Sequence, residues 1–351
     1  MPHFTVSQLT DYATALLRAG GLDEAEAQSV ARSLVDANLR GHDSHGVMRI
    51  PYYLDQVAKG ELVPAAEFSV QRETPVIIVA DGNWGFGRTQ AGSLLERLIA
   101  KARVAGVAVG TLVQCGHIGR LGEYCEIAAA SGLVAQVMVN THGNARRVAP
   151  PGGTDPRLGT NPIAFGVPNG REPLILDFGT SATAEGKVRV KRIAEQSCPE
   201  GWLLDSQGRA TCDPATLYGN PPGTIRPFGG DQAYKGFGLG LMVELLSGAL
   251  SGGPCIRETP VTQLGNCVFM QLFDPAQFGG AEHFAREVHD LATFVRGCPL
   301  ADGVESITLP GDPERAALAQ RLTHGIPIDD GNWRQLVERG NSLGIAPPAL
   351  A

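Results

Sequence analysis

The sequence predicts an α/β protein in which strands and helices alternate through the middle of the chain and helices gather at both ends. Three observations carry this: two helix-start signatures near the N-terminus, short β-branched runs alternating with longer amphipathic ones after Pro75, and a proline-started helix towards the end. At 351 residues the chain exceeds one ordinary core, so roughly two or three compact units sharing an interface are expected. A hydrophobic fraction of 43% against 19% charged is that of a folded globular protein. The 45 glycines show no period, which excludes a collagen-like chain and implies many tight turns.

Taken in order, Thr5 with Gln8 forms a capping box before Leu9, Tyr12, Leu16 and Leu17, and Asp23 with Glu26 forms another before Val30, Ala31, Leu34 and Leu39. This helical hairpin leads straight into a histidine run. Val76 to Ala80 reads as a strand closed by a turn at Asp81-Gly82-Asn83. Helices are expected over Gln90 to Ala105 and Gly122 to Ser131, and buried strands over Val107 to Val113, Val134 to Asn140 and Leu174 to Phe178. The stretch from Gln196 to Gly230 is rich in Gly, Pro and Asp and reads as an excursion or a dimer-contacting loop. After Tyr234-Lys235-Gly236 an apolar run to Ala249 reads as a buried helix, and Asn266 to Phe273 as a core strand. Asp312 before Pro313 reads as an N-cap with proline at the first helical position, and Asp330 precedes a last helix carrying Trp333, Leu336 and Val337. Helices from the two chain ends are expected to pack together.

Several function classes are disfavoured. A net charge of -7 opposes binding to nucleic acid. No basic start followed by an apolar segment, and no stretch long and apolar enough to span a bilayer, is present, so a cytoplasmic protein without a membrane partner is expected. The seven cysteines are odd in number and dispersed, with no C-x-x-C pair, as expected of free thiols rather than zinc ligands. The dinucleotide fingerprint G-x-G-x-x-G is missing: Gly85 to Gln90 lacks the third glycine, and Gly236-Phe237-Gly238-Leu239-Gly240 has the wrong last spacing. Gly179 to Lys187 is no phosphate loop, because Ser181 and Val188 stand where a glycine and a hydroxyl residue are required.

Chemistry concentrates elsewhere. Gly41-His42-Asp43-Ser44-His45-Gly46-Val47-Met48-Arg49 packs two imidazoles, a carboxylate, a hydroxyl and a guanidinium directly after a helix. A polar helix connection is its bland alternative; His42, Asp43 and His45 could also ligate a metal, but no second cluster completes such a site, so no metal is expected. At a second strand-to-helix junction, Gly116 and Gly119 flank His117 and Arg120, where bare backbone can approach an anionic ligand. Thr141-His142-Gly143-Asn144-Ala145-Arg146-Arg147 and Arg157-Leu158-Gly159-Thr160-Asn161-Pro162 are further polar clusters at element ends, which suggests convergence on one cleft.

The histidine run, the Gly116-His117 turn, Leu158 to Pro162, Leu176-Asp177-Phe178-Gly179-Thr180-Ser181 and Tyr234-Lys235-Gly236 together resemble the malate/L-lactate dehydrogenase family, which is unrelated to the Rossmann-type enzymes of similar name. The resemblance runs in order from about Thr5 to about Trp333 and looks closest to the hydroxycarboxylate dehydrogenases, through His117-Ile118-Gly119-Arg120. It implies a homodimer with a mostly antiparallel or mixed sheet flanked by helices, which accounts for the missing fingerprint. It also implies a helical domain from residues 1–75 plus 312–351 and a cofactor-binding and catalytic region over 76–311. By the same likeness His117 or His45 handles the proton, and Asp177, Gly179, Thr180, Ser181, Lys235, Asn266, Gly311, Asp312, Pro313 and Glu314 are cofactor contacts. Gly119 and Arg120, at the helix start, join that set. The cofactor is expected to be NAD or NADP, with NAD preferred. Phe178-Gly179 departs from the methionine and alanine of many relatives.

The chemistry expected is reversible hydride transfer between a nicotinamide and a small 2-hydroxy acid. Histidine suits the proton step because its pKa of about 6.5 lies near working pH. Arg49, then Arg120, is the candidate for a two-pronged grip on the substrate carboxylate, and Ser44 for orienting a histidine or the reacting oxygen. A cyclic imino-acid reductase of the same family and a metal-dependent hydrolase using His42, Asp43, His45 and His117 are the alternatives.

Overall fold

A computed structural model describes residues 1–193, 195–259 and 261–349. Its centre is a seven-stranded sheet made of β1 (Ser69–Glu73), β2 (Ile77–Gly85), β3 (Val107–Cys115), β4 (Val134–Asn140), β5 (Pro162–Val167), β6 (Leu174–Gly179) and β7 (Asn266–Phe273), in the order β1-β2-β3-β7-β4-β5-β6. Only β2 and β3 pair in parallel, joined by a crossover helix α4 (Gly87–Ala105); every other neighbouring pair is antiparallel. This is the mixed sheet expected. It has no strand-turn-helix unit carrying a glycine fingerprint, so any dinucleotide must be held by other means.

Strand β7, late in the sequence, inserts between β3 and β4 and is buried on both faces. Its alternation divides two packing layers. Val268, Met270 and Leu272 face the main core with Leu94, Leu98 and Leu112, under α4 and α5 (Leu121–Ala130), while Phe269 joins Met138, Ile163 and Val243 in a smaller cluster on the other side.

A separate core gathers both chain ends. Helices α1 (Val6–Ala19), α2 (Glu24–Leu39) and α3 (Ile50–Ala58) bury Leu16, Leu17, Leu34 and Ile50 with Ile326, Ile328 and Leu336. The Phe4 ring lies 4.4 Å from that of Trp333, and the Tyr12 hydroxyl donates to the Leu336 carbonyl at 3.2 Å. The Thr5 and Gln8 capping box is present.

Several expectations need correction. Asp23 caps α2, but Glu26 turns away from the cap to accept the Ala65 amide, so no reciprocal box forms. The strand from Ile77 continues to Gly85 through an irregular register at Asn83 and Trp84, both with positive φ, instead of turning at Asp81. Gly311 precedes α9 (Asp312–His324); Asp312 is inside the helix, where its carboxylate accepts the Leu309 amide and pairs with Arg296 and Arg315. The cap of α10 (Asp330–Ser342) is Asp329, one residue before the one expected.

Three helices escaped the sequence reading, α3, α6 (Glu185–Ile193) and α8 (Ala281–Arg296). Between α6 and α7 (Ala233–Glu244) the excursion contains a small three-stranded sheet, with Leu203, Leu217 and Ile225 buried beside Val148 and Val188. The run from Tyr234 to Ala249 is helical but not wholly buried. Gly236, Gly240 and Val243 face inward, whereas Tyr234, Leu241, Met242 and Leu245 are exposed. Among the described residues no helix is long and apolar enough to cross a membrane.

Candidate active site

Local packing shapes the histidine run into two short turns, Asp43–His45 and Val47–Arg49, before α3 begins with Pro51 in its first turn. Asn38 on α2 organises them: its Oδ1 accepts the Val47 amide at 2.9 Å and its Nδ2 donates to Asp43 at 2.7 Å. A side chain at Gly46 would overlap that Asn38 amide, so glycine is required there. Arg321 on α9 closes the run from the far end of the chain, gripping both Asp43 oxygens at 2.6 and 3.0 Å.

The second histidine sits on the turn after β3. A Cβ at Gly87 would meet the Gly116 carbonyl oxygen at 1.9 Å, so the start of α4 can lie against this turn only as glycine. Asn266 fixes the turn from β7, accepting the Ile118 amide at 3.0 Å and donating to the Asn140 carbonyl at 2.8 Å.

The two imidazoles meet. His45 and His117 stack with ring centroids 5.3 Å apart, in a cleft of about 880 Å³ that Ser44, Arg49, Tyr52, Gly119, Gly159 and Asn266 also line. Each ring is tethered at Nδ1, His45 to the Ser44 hydroxyl at 3.0 Å and His117 to the Tyr53 hydroxyl at 2.9 Å. Neither Nε2 has a hydrogen-bond partner among the described residues. Behind them Arg88 is buried and donates to the His45 carbonyl, to Ser33 and, at 3.5 Å, to Tyr53. Arg49 donates through Nε to the Ser44 carbonyl at 2.7 Å, and its terminal nitrogens make no ion pair among the described residues.

Electrostatics make this a site for neutral imidazoles. Burial, and then the positive charge of Arg49, hold both His45 and His117 well below the ordinary histidine pKa. The sign for stability follows: an unfolded chain binds these protons as pH falls below about 6.5 whereas the native state does not, so stability is lost on acidification through that window. A His45→Gln, His117→Gln double variant is therefore expected to lose less Tm than the parent between pH 7 and pH 5, measured by differential scanning calorimetry; equal losses would refute the neutral-pair assignment.

Other sequence candidates fall into separate places. Arg120 does not reach the cleft as a carboxylate anchor: its side chain is 1% exposed and is committed to Glu126 at 2.8 Å and Asp36 at 3.2 Å. Asp177 accepts the Gly122 amide at 2.7 Å at the start of α5, and burial raises its pKa. His42 and Glu314 pair at 3.2 Å, close enough to influence Asp177, so these groups with Arg120 gather behind the Gly119 to Gly122 backbone. Gly311, Asp312 and Pro313 belong to the adjoining start of α9. Gly179, Thr180 and Ser181 end β6 beneath Thr160, and Lys235 is exposed on α7. His42, Asp43, His45 and His117 do not converge as a ligand set, since Asp43 is held by Arg321 and His42 by Glu314. Sequence reasoning missed Tyr53, Arg88 and Arg189. Tyr53 stands one turn beyond Arg49 on α3, the only local signal it offered.

A family model described as malate/L-lactate dehydrogenase matches residues 4–337. The chain belongs to the malate/L-lactate dehydrogenase family. Within that family it is 36% identical over 326 residues to an L-lactate dehydrogenase of Cupriavidus necator, covering 92% of each chain. It is 34% identical over 352 residues to hydroxycarboxylate dehydrogenase B of Escherichia coli, covering 99% of this chain and 96% of that one. The solved sulfolactate dehydrogenase of Methanocaldococcus jannaschii superposes with a TM-score of 0.88 at 31% identity, covering 99% and 98%. Family membership accounts for the mixed sheet and, together with the absence of a convergent ligand set among the described residues, argues against the hydrolase alternative.

Proposed function

We propose that this chain is an NAD(P)-dependent 2-hydroxycarboxylate dehydrogenase. The observation that carries the reading is the stacked, neutral pair His45 and His117 beside the unpaired end of Arg49, in one cleft. The residues fit a dinucleotide. The cleft falls in the size range of cofactor sites, bare backbone at Gly119 and Gly159 lines it, and the buried Oδ1 of Asn161 near Gly159 lacks a donor. Gly119, Thr160 and Asn266 would hold the cofactor from the cleft, and NAD rather than NADP is the cofactor in this reading.

The bound nicotinamide supplies the hydride acceptor or donor. Arg49 takes the substrate carboxylate in a bidentate grip and so fixes which carbon faces the cofactor. His117 moves the proton at Nε2. Arg88 can only donate to the Tyr53 oxygen, so the Tyr53 hydroxyl hydrogen is left for Nδ1 of His117. That tautomer carries its proton on Nε2; as Nε2 gives it to the oxygen of a 2-oxo group, Nδ1 takes the Tyr53 hydroxyl proton and leaves a phenolate facing Arg88, and oxidation of the hydroxy acid runs the same relay backwards. Ser44 holds His45 as the second wall of the pocket.

The reading also entails two chains per molecule. Tyr234, Leu241, Met242 and Leu245 form an exposed apolar row on one helix, in keeping with a homodimer contact. A helical unit from 1–75 plus 312–351, except that β1 at 69–73 belongs to the central sheet, set beside a 76–311 cofactor and catalytic region, and a cytoplasmic location complete the proposal.

The test is a panel of 2-oxo acids, with a cyclic imine carboxylate, assayed at 340 nm with NADH and with NADPH. Turnover of a 2-oxo acid is expected, faster with NADH. Absence of dinucleotide binding at millimolar concentration, or turnover of the imine alone, would overturn the reading.

A further inference from the structure

Helix α6 brings a further guanidinium to the cleft. Its first turn lies directly on the histidine run, with an ideal Cβ at Gly186 only 3.3 Å from that of Ser44. Val188 anchors the helix in the small core beneath the excursion, and Arg192 stacks over the Tyr218 ring at 4.5 Å. These contacts fix the roll of α6, so that Ala184, Glu185, Gly186 and Arg189 face the cleft while Lys187 and Val190 face solvent. Glu185 stands four residues before Arg189, the spacing of a helical ion pair, but its carboxylate accepts the Tyr218 hydroxyl at 2.8 Å instead. Arg189 makes no ion pair or hydrogen bond among the described residues.

Of the guanidinium groups that line the cleft, Arg49, Arg146, Arg147 and Arg189 make no ion pair among the described residues, and Arg189, on the helix adjoining the histidine run, is the one that acts on Arg49. Burial first, and among the charges Arg189, pull the Arg49 pKa down. Two like charges held together in a partly dry site are unfavourable until a ligand brings two negative charges. A monocarboxylate would satisfy only one of them.

We propose that Arg189 is a specificity-determining residue that binds a second, distal acid group of the substrate, so that the protein prefers 2-hydroxy and 2-oxo diacids to monoacids. This rests on the dehydrogenase reading above and on Arg49 holding the acid group next to the reacting carbon. A charge-assisted hydrogen bond of this kind corresponds to roughly a 10- to 100-fold effect.

The experiment compares oxaloacetate with pyruvate in the parent, in Arg189→Gln and in Arg189→Lys. The parent is expected to show kcat/KM at least about tenfold higher for oxaloacetate. Arg189→Gln should lower that value about 10- to 100-fold, mainly through KM, while the value for pyruvate and the KM of the dinucleotide stay within about twofold; Arg189→Lys should restore part of the loss. A parent that favours pyruvate, an equal loss on both substrates, or a raised dinucleotide KM would overturn the proposal, the last by placing Arg189 on the cofactor phosphates. Calorimetric binding of malonate and of acetate to the dinucleotide-loaded protein separates this from a failure of the dehydrogenase reading. Even without turnover, tighter binding of malonate that disappears in Arg189→Gln supports the assignment, and equal affinities refute it.

Discussion

His117→Ala will lower kcat by about 10²- to 10⁴-fold while leaving dinucleotide affinity unchanged, because a positioned general acid or base contributes that much and the ring's contacts are a hydrogen bond to Tyr53 and a stack on His45. Added imidazole should recover part of the lost rate. His45→Ala should cost less, since its ring serves as a wall for its neighbour and it has no tyrosine and arginine behind it to relay a proton. Single-turnover kinetics with a 2-oxo acid and fluorescence titration of the reduced dinucleotide give the two readouts. A full loss in His45→Ala with an active His117→Ala would transfer the proton to the other ring.

Arg49→Met should act twice. Losing the bidentate grip should raise KM for the acid about 100-fold or more, in line with charge-assisted pairs. The second effect is on pH. Arg49 is the largest charge holding both imidazoles down, after burial. Without it their pKa values rise towards, but not up to, the ordinary value, because burial remains. For oxidation of a hydroxy acid the imidazole must be neutral, so the acid limb of kcat/KM moves to higher pH in the variant. An acid limb that stays in place would show that Arg49 does not share the histidines' environment.

How much was legible depends on how local the signal was. The capping box at Thr5 and the buried strands announce themselves within a few residues. Ser44, His45, Arg49 and His117 were legible as candidates because each stands in a dense polar cluster at an element end, and these do converge. Tyr53 was not, since nothing in sequence ties it to a histidine 64 residues later. Arg120 was misjudged for the same reason: its neighbours looked like a site, but Glu126 and Asp36 claim it from two helices. Helix α6 was hidden by its composition, with four basic residues in nine and a glycine in its first turn, so no apolar stripe marks it. The exposed side of the helix at 233–249 is a further case, because an apolar pattern reports what avoids water and not which surface covers it.

The clasp between Asp43 and Arg321 also bears on the order of events during synthesis. The wall that carries Ser44 and His45 is made early, yet the guanidinium that closes it and the Trp333 ring that packs on Phe4 emerge about 280 residues later. A ribosome-bound chain has every residue of its candidate catalytic pair long before it has the contacts that hold one of them still. Assembly of the histidine wall is thereby coupled to completion of the C-terminal helices, and a chain released early lacks the clasp on it.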